Sequence, residues 1–303
     1  MAINIYKNLN VLDIITILFN KLVACHCFDW MSDRAFLKLA YVIRMRKILN
    51  LKNPKSFNEK LNWLKLYDRK PLYTTLVDKL AVKEYVANKI GAEYIIPTIS
   101  IWNDFDEIDL DKLPESFVLK WNHDSSSVYL CKDKMLFDWN AARVKLKERK
   151  SFNMFSFARE WPYKSVVPKI FAEKYMEDNT LKELRDYKIF CFNGRVEFFK
   201  IDINRFTNHR ANYYDKELNL LPFHEKYIPC DQNQVISIPS SIYEMFKLAE
   251  ILAQDIPFIR IDFYDVNNCI YFGEMTFFPA AANGILEPEE WDLIIGNLLK
   301  LPA

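Results

Sequence analysis

Two strands near the end of the chain carry the side chains best suited to chemistry. Along 258–264, Arg260, Asp262 and Tyr264 alternate with apolar residues, so a strand sets all three on one face. Along 270–276, Phe272, Glu274 and Thr276 share a face in the same way. The two runs bend around Asn267-Asn268 as a hairpin. With an odd loop, Asn267 to Cys269, Asp262 falls opposite Glu274. Facing carboxylates repel and destabilise a bare sheet. A Mg²⁺ ion removes that conflict, because it takes oxygens from one or two carboxylates and keeps other positions for water and phosphate. Arg260, one step along the face, then meets phosphate oxygens. The other reading of these residues is a solvated Arg–Asp–Glu network.

Lys120 ends an apolar run, Phe117-Val118-Leu119, where a charge wants a partner. The small polar residues behind it, Asn122 to Ser127 with Ser125, Ser126 and Ser127, offer amides and hydroxyls that can wrap phosphate oxygens. An ordinary hairpin turn with a strand-edge lysine fits the same stretch. Lys79 sits just inside a helix read as starting at Asp78, and helix N-termini attract anions. Taken alone it is a solvated surface lysine.

Other chemistries find little support. The four histidines lack metal-ligand spacing, and the chain has no G-x-S-x-G, P-loop or G-x-G-x-x-G motif. The six cysteines are scattered, and Cys25-His26-Cys27 without a distant partner set is a poor zinc site, so they read as reduced, buried thiols of a cytoplasmic protein. A formal net charge of +1 supplies no field for nucleic acid. With 5 glycines in 303 residues, a phosphate loop cannot be a glycine run. Val11 to Ala24 is apolar but carries Asp13, Asn20 and Lys21; it is too short and polar to span a bilayer and reads as a core helix, with peripheral membrane contact as the other option.

The elements that must position these groups follow from periodicity. Ser56 and Glu59 form a capping box ahead of Phe57, Leu61 and Leu64 on one helical face. A second helix runs from Asp78 to its stop at Gly91. Strands are expected at 117–120, 128–130 and 169–176, and at 187–192 and 195–201 around Asn193-Gly194. Helices are expected at 138–148, 242–253 and 288–299. Helices first, then mixed segments, give an α+β class.

These motifs, in this order, resemble those of D-alanine–D-alanine ligase and other ATP-grasp enzymes. A closer resemblance is to the TupA-like ATP-grasp family of bacterial surface-polysaccharide and teichuronopeptide synthesis. It is carried by Asn53 to Leu64, Asp78-Lys79, Phe117 to His123, Asp186 to Gly194 and Tyr271 to Thr276. The resemblance implies a two-lobed ATP-grasp-like fold with nucleotide between two mixed α/β lobes: a helical region 1–75, a small lobe 76–165 and a large lobe 166–303. It also implies ATP and Mg²⁺ as cofactors. Lys79, Lys120, the serines and Arg260 would hold phosphates, with Lys120 and Arg260 catalytic. Glu173, Lys174, Tyr175 and Met176 would hold adenine by their backbone, and Asp186 the ribose, with Lys188 of the same run binding nucleotide. Asp262, Glu274 and Thr276 would hold the metal. The sequence departs from the family in three ways: Asp124 and serines stand where glycines are common, Thr276 replaces the usual Asn, and the N-terminal region is helical and short.

The implied activity is ADP-forming carboxylate–amine ligation in the cytoplasm. Its partners would be a small-molecule or glycan acceptor with a carboxylate and an amine donor, with peripheral contact to the polysaccharide assembly machinery at the inner membrane as an option. Two alternatives stand beside it. One is a glycosyltransferase of the same pathway, motivated by Asp109-Leu110-Asp111; the other is a non-catalytic nucleotide-binding protein.

Overall fold

A computed structural model describes residues 11–124, 127–179, 184–203, 208–231 and 236–302. Two helices open the described chain, α1 (Val11–Ala24) and α2 (Asp33–Met45). Phe19 and Val23 of α1 pack with Phe36, Leu37, Ala40 and Tyr41 of α2 in a core of their own. The expectation of a core helix holds for that one stripe only, since Val11, Leu12, Ile14, Ile15, Leu18 and Leu22 are exposed. Among the described residues no helix is long and apolar enough to cross a membrane.

Helix α3 (Phe57–Tyr67) starts at the expected capping box: Ser56 Oγ accepts the Glu59 N–H at 3.3 Å, and Glu59 Oε2 accepts the Ser56 N–H at 3.2 Å. Helices α4 (Leu72–Val77) and α5 (Ala81–Ile90) follow. Asp78 caps α5 by accepting the N–H groups of Leu80 and Ala81 at 2.8 and 3.2 Å, so Lys79 lies in the turn before the helix rather than inside it.

Next come β1 (Thr98–Trp102), β2 (Phe117–Trp121), β3 (Val128–Cys131), α6 (Trp139–Arg149), α7 (Met154–Ala158) and β4 (Ile170–Lys174). The four strands form one sheet in the order β1-β4-β2-β3 over a core of Phe117, Leu119, Trp121, Ala142, Leu146, Ile170 and Ala172. A boundary at 165/166 therefore falls one strand too early, because β4 belongs to the small lobe. The boundary at 75/76 is also shifted: α3, α4 and α5 bury Leu61, Tyr73, Leu76, Val82 and Val86 in the core of the large lobe.

That lobe holds β5 (Asp186–Phe192), β6 (Arg195–Ile203), β7 (Arg210–Asp215), β8 (His224–Glu225), α8 (Ile242–Leu252), β9 (Phe258–Val266), β10 (Cys269–Thr276), β11 (Leu286–Glu287) and α9 (Trp291–Leu298). Its main sheet runs β10-β9-β5-β6-β7, every neighbouring pair antiparallel. Asn193 and Gly194 both take positive φ at the β5–β6 turn, as the asparagine–glycine signal predicts. Strands β1 and β7 were not anticipated from the sequence. Of the cysteines, Cys131 and Cys191 are buried, while Cys25, Cys27 and Cys269 are exposed, which corrects the uniformly buried reading.

Candidate active site

The β9–β10 hairpin sets the site. Its loop has two residues, Asn267 and Asn268, both at positive φ, and Val266 pairs directly with Cys269. An even loop alone would bring Gly273 opposite Asp262 and turn Glu274 toward the core side. A bulge between Phe272 and Glu274 adds one residue and restores the pairing Glu274↔Asp262 and Thr276↔Arg260. The expected neighbours are right, and the bulge, not the loop, is the reason. Gly273 makes this possible: a Cβ there would lie 3.1 Å from both the Asp262 carbonyl oxygen and the Tyr264 ring.

Arg260 grips Asp262 with two bonds, Nε to Oδ1 at 2.6 Å and Nη2 to Oδ2 at 2.7 Å. Nη2 also donates to Glu274 Oε1 at 3.0 Å and to Thr276 Oγ1 at 3.1 Å, and the Thr276 hydroxyl donates to Glu274 at 3.1 Å. Lys79 Nζ lies 3.5 Å from the other Glu274 oxygen. Burial works against the Glu274 charge, but Lys79, Arg260 and Lys188 outweigh it and bring the carboxyl down to about 2. Burial raises the Asp262 carboxyl against the pull of Arg260 and Lys188.

Behind the hairpin a second row of charges runs along β5 and β6. Lys188 Nζ meets Asp202 at 2.9 Å, Asp186 at 3.1 Å and Asp262 at 3.4 Å. Lys200 Nζ meets Glu225 at 2.7 Å and Asp202 at 3.2 Å, and His209 Nε2 approaches Asp202 at 2.9 Å. Burial opposes the Asp202 charge, yet Lys188 and Lys200 hold it well below the usual carboxylate range. Asp186 is thus brought into this network, buried beside Lys188.

Across the cleft, Lys120 and Lys83 both contact Glu173 on β4, and both ammonium groups lie over the Phe171 ring at 5.5 and 5.4 Å. Lys120, expected as a strand-end cation in need of a partner, has one. Asn122 fastens the lobes together. Its carbonyl accepts the Lys79 N–H at 3.0 Å, its amide donates to Asp78 at 2.9 Å and to the Val167 carbonyl at 3.0 Å, and its Oδ1 accepts the Lys169 N–H at 2.8 Å. Asp124 binds the Arg149 fork, which neutralises the acid in the phosphate-loop candidate. Ser127 is buried and its Oγ accepts the Trp121 N–H at 3.4 Å. Ser125 and Ser126 lie outside the described residues. Lys174 ends β4, its N–H held by the Pro97 carbonyl at 3.0 Å, and Tyr175 and Met176 leave the small sheet toward β5.

The turn after β10 borders the same space. Ala280, Ala281 and Ala282 all take left-handed φ, from 48° to 58°. Side chains of α3 hold it: Asn62 Nδ2 donates to the Ala282 carbonyl at 2.9 Å, Lys65 Nζ to Ala281 at 2.8 Å, and Asn58 exchanges bonds of 2.8 and 3.1 Å with Gly284. Asn58, Asn62 and Lys65 at i, i+4 and i+7 form a polar stripe along one side of the helix, a sequence signal that was there to be read. Lys83 and Lys200 lacked any such local signal.

Asp109 and Asp111 do not form a comparable centre. Asp109 caps a surface turn and pairs with Lys112 at 2.9 Å. Among the described residues no group of three or more His, Cys, Asp or Glu side chains is arranged to hold a metal. The Asp262–Glu274 pair nonetheless suits Mg²⁺, which needs only one or two carboxylates when phosphates and water complete its shell.

Two antiparallel sheets thus carry Lys120 on one and the Arg260–Asp262–Glu274–Thr276 face on the other. The family model described as TupA-like ATPgrasp matches residues 59–300, and the chain belongs to that family. Among solved structures it is similar to D-alanine–D-alanine ligase from Helicobacter pylori, with 14% identity, 82% of this chain and 70% of that one covered, and a TM-score of 0.45. It is also similar to N5-carboxyaminoimidazole synthetase from Staphylococcus aureus (14% identity, 67% and 44% covered, TM-score 0.39). A third is the ATP-grasp ligase PsnB complexed with minimal precursor, Mg and ADP (10% identity, 79% and 66% covered, TM-score 0.39). The chain thus spans between 44% and 70% of these three structures. No curated protein matches.

Proposed function

We propose that the protein is an ATP-dependent carboxylate–amine ligase of the ADP-forming kind, acting in bacterial surface-polysaccharide or teichuronopeptide synthesis. The observation that carries the chemistry is the face shared by Arg260, Asp262, Glu274 and Thr276, with Lys79 reaching it from the turn between α4 and α5. A substrate carboxylate oxygen would attack the γ-phosphorus of ATP, the bond to the β-phosphate oxygen would break, and ADP would leave. An amine would then attack the acyl carbon of the acyl phosphate, lose a proton and expel inorganic phosphate. Arg260, Lys79 and Lys120 would offset phosphate charge, which spreads over equatorial oxygens during transfer. Mg²⁺, held by Asp262 and Glu274 with Thr276 beside them, would neutralise the same oxygens. The backbone of Glu173 to Met176 is our assignment for adenine, and Asp186 with Lys188 for the ribose side. Asp109-Leu110-Asp111 sits on the surface, so the glycosyltransferase reading gains no site. We place the enzyme in the cytoplasm, and the exposed apolar face of α1 supports peripheral contact with assembly machinery at the inner membrane.

The test is product analysis. Incubation with ATP, Mg²⁺, uronic-acid sugars and amino acids should yield ADP and phosphate in step with amide formation. Appearance of AMP, or of UDP from a UDP-sugar with ATP untouched, sinks the reading.

A further inference from the structure

Two cavities meet beside the Arg260 face. The inner one, about 170 Å³, is lined by Phe190, Phe198, Tyr213 and Phe223 with Arg260 at one end. The outer one, about 730 Å³, lies between α1–α2 and the large lobe and is lined by Asn20, Arg44, Arg46, Lys226 and Tyr227. Glu225, Ala280 and Gly284 line both, so the two cavities adjoin, with Arg260 at the far end of the inner one.

The outer wall is cationic, and among the described residues its cations have neutral partners. Arg44 donates to Asn20 Oδ1 at 3.2 and 2.9 Å and lies between the rings of Phe19 and Phe157 at 5.4 and 5.1 Å. Burial alone lowers its pKa to about 10. Arg46 donates to the carbonyls of Ile43 and Leu12 and to Thr16 Oγ1. Lys226 lies over the Tyr227 ring at 5.6 Å. Of the two acids on this wall, Glu225 is held by Lys200 and Tyr213, and Asp13 is also engaged. A part-buried guanidinium without a counter-ion carries an uncompensated desolvation cost. Its planar fork matches a carboxylate or a phosphate.

We propose that this outer cleft binds a second anionic group of the acceptor, set apart from the carboxylate presented to Arg260. The acceptor is then an extended polyanion, an oligouronide or a sugar nucleotide, rather than a free amino acid. The inner cavity takes the reacting end, and the outer one, within the size range of small-molecule sites, takes the body. Only the word acceptor rests on the ligase reading; the anion site stands on the cleft.

Calorimetry on the full chain tests it, with and without Mg²⁺ and a non-hydrolysable ATP analogue. The probes are galacturonate, trigalacturonate, UDP-glucuronate and neutral maltotriose. At least one of the two polyanions should bind about tenfold tighter than galacturonate, and maltotriose should not bind. Tight trigalacturonate points to a carboxylate in the outer cleft, tight UDP-glucuronate to a phosphate. Lys226→Glu should weaken the tight probe about tenfold and leave the ATP analogue unaffected. Arg46→Gln should act in the same direction; Lys226 ties no helices together, so its variant decides if Arg46→Gln misfolds. Polyanions that bind no tighter than galacturonate, or a Lys226→Glu variant that binds them like the wild type, overturn the proposal. An ATP analogue that fails to bind overturns the ligase reading instead, and the nucleotide-free titrations still decide the cleft.

Discussion

At the Arg260 guanidinium, oxygens from Asp262, Glu274 and Thr276 converge, and the first two are the groups a nucleotide-bound metal would claim. Asp262→Asn and Glu274→Gln keep size and remove charge. Each is expected to fold, by circular dichroism, and to lose Mg²⁺-dependent ADP formation by about a hundredfold or more; wild-type turnover in either variant would refute the metal assignment. Lys120 is fixed by Glu173 at the end of a strand, whereas Lys79 stands in a turn. Lys120→Ala should therefore weaken ATP by about tenfold, and Lys79→Ala by less, in a direct binding titration. Equal affinities for wild type and Lys120→Ala would make Lys120 a structural lysine. These residues were legible because strand alternation groups them on one face. Lys83 and Lys200 were not, because each finds its partners on other elements, and spacing along the chain carries no trace of that.

At the scale of elements, the hairpin shows what pattern reading captures and what it passes over. Alternation predicted the Asp262–Glu274 neighbours, yet loop parity gave the wrong cause, since an even loop and a bulge give the same pairing as an odd loop without one. Without the bulge, Glu274 would pair with Ile261 on the core-facing side. This leads to an inverted expectation. Deleting Gly273 preserves Glu274 opposite Asp262 and removes only the extra residue, while Gly273→Val drives a side chain against the Asp262 carbonyl and the Tyr264 ring. The deletion should retain more metal-dependent turnover than the valine variant. A valine variant as active as wild type, or a deletion less active than valine, would show that the bulge does not set the register. The capping box of α3 and the Asn193-Gly194 turn were legible because both are written in a few adjacent residues. Strands β1 and β7 were not, since a short strand with one exposed side and a strand without a local turn signal carry little periodic signal.

For the molecule as a whole, buried carboxylates paired with cations dominate the pH response. Asp202, Glu173, Glu225 and Glu274 all titrate below their ordinary values, because neighbouring lysines or Arg260 outweigh burial. A depressed folded pKa gives stability that is complete above the unfolded carboxylate range and lost as pH falls through that range toward the folded value. These four carboxylates should therefore make the urea midpoint fall as pH drops below about 5. Asp202→Asn should lower stability at pH 7 and flatten the fall. A wild-type midpoint independent of pH down to acid would contradict the pairing.

The cations that hold Asp262 and Glu274 have one more consequence. Arg260, Lys79 and Lys188 act as internal counter-ions, so the carboxylates are neutralised before any metal arrives. In a structural zinc domain, by contrast, metal binding and folding are one event. Chelation should accordingly leave the melting temperature of this protein where it was, while abolishing turnover. Loading the site would then be an exchange rather than a filling: Arg260, Lys79 and Lys188 would turn toward phosphates while Asp262 and Glu274 would be free to hold a metal that supplies charge neutralisation. Excess free Mg²⁺ without nucleotide should gain little purchase there.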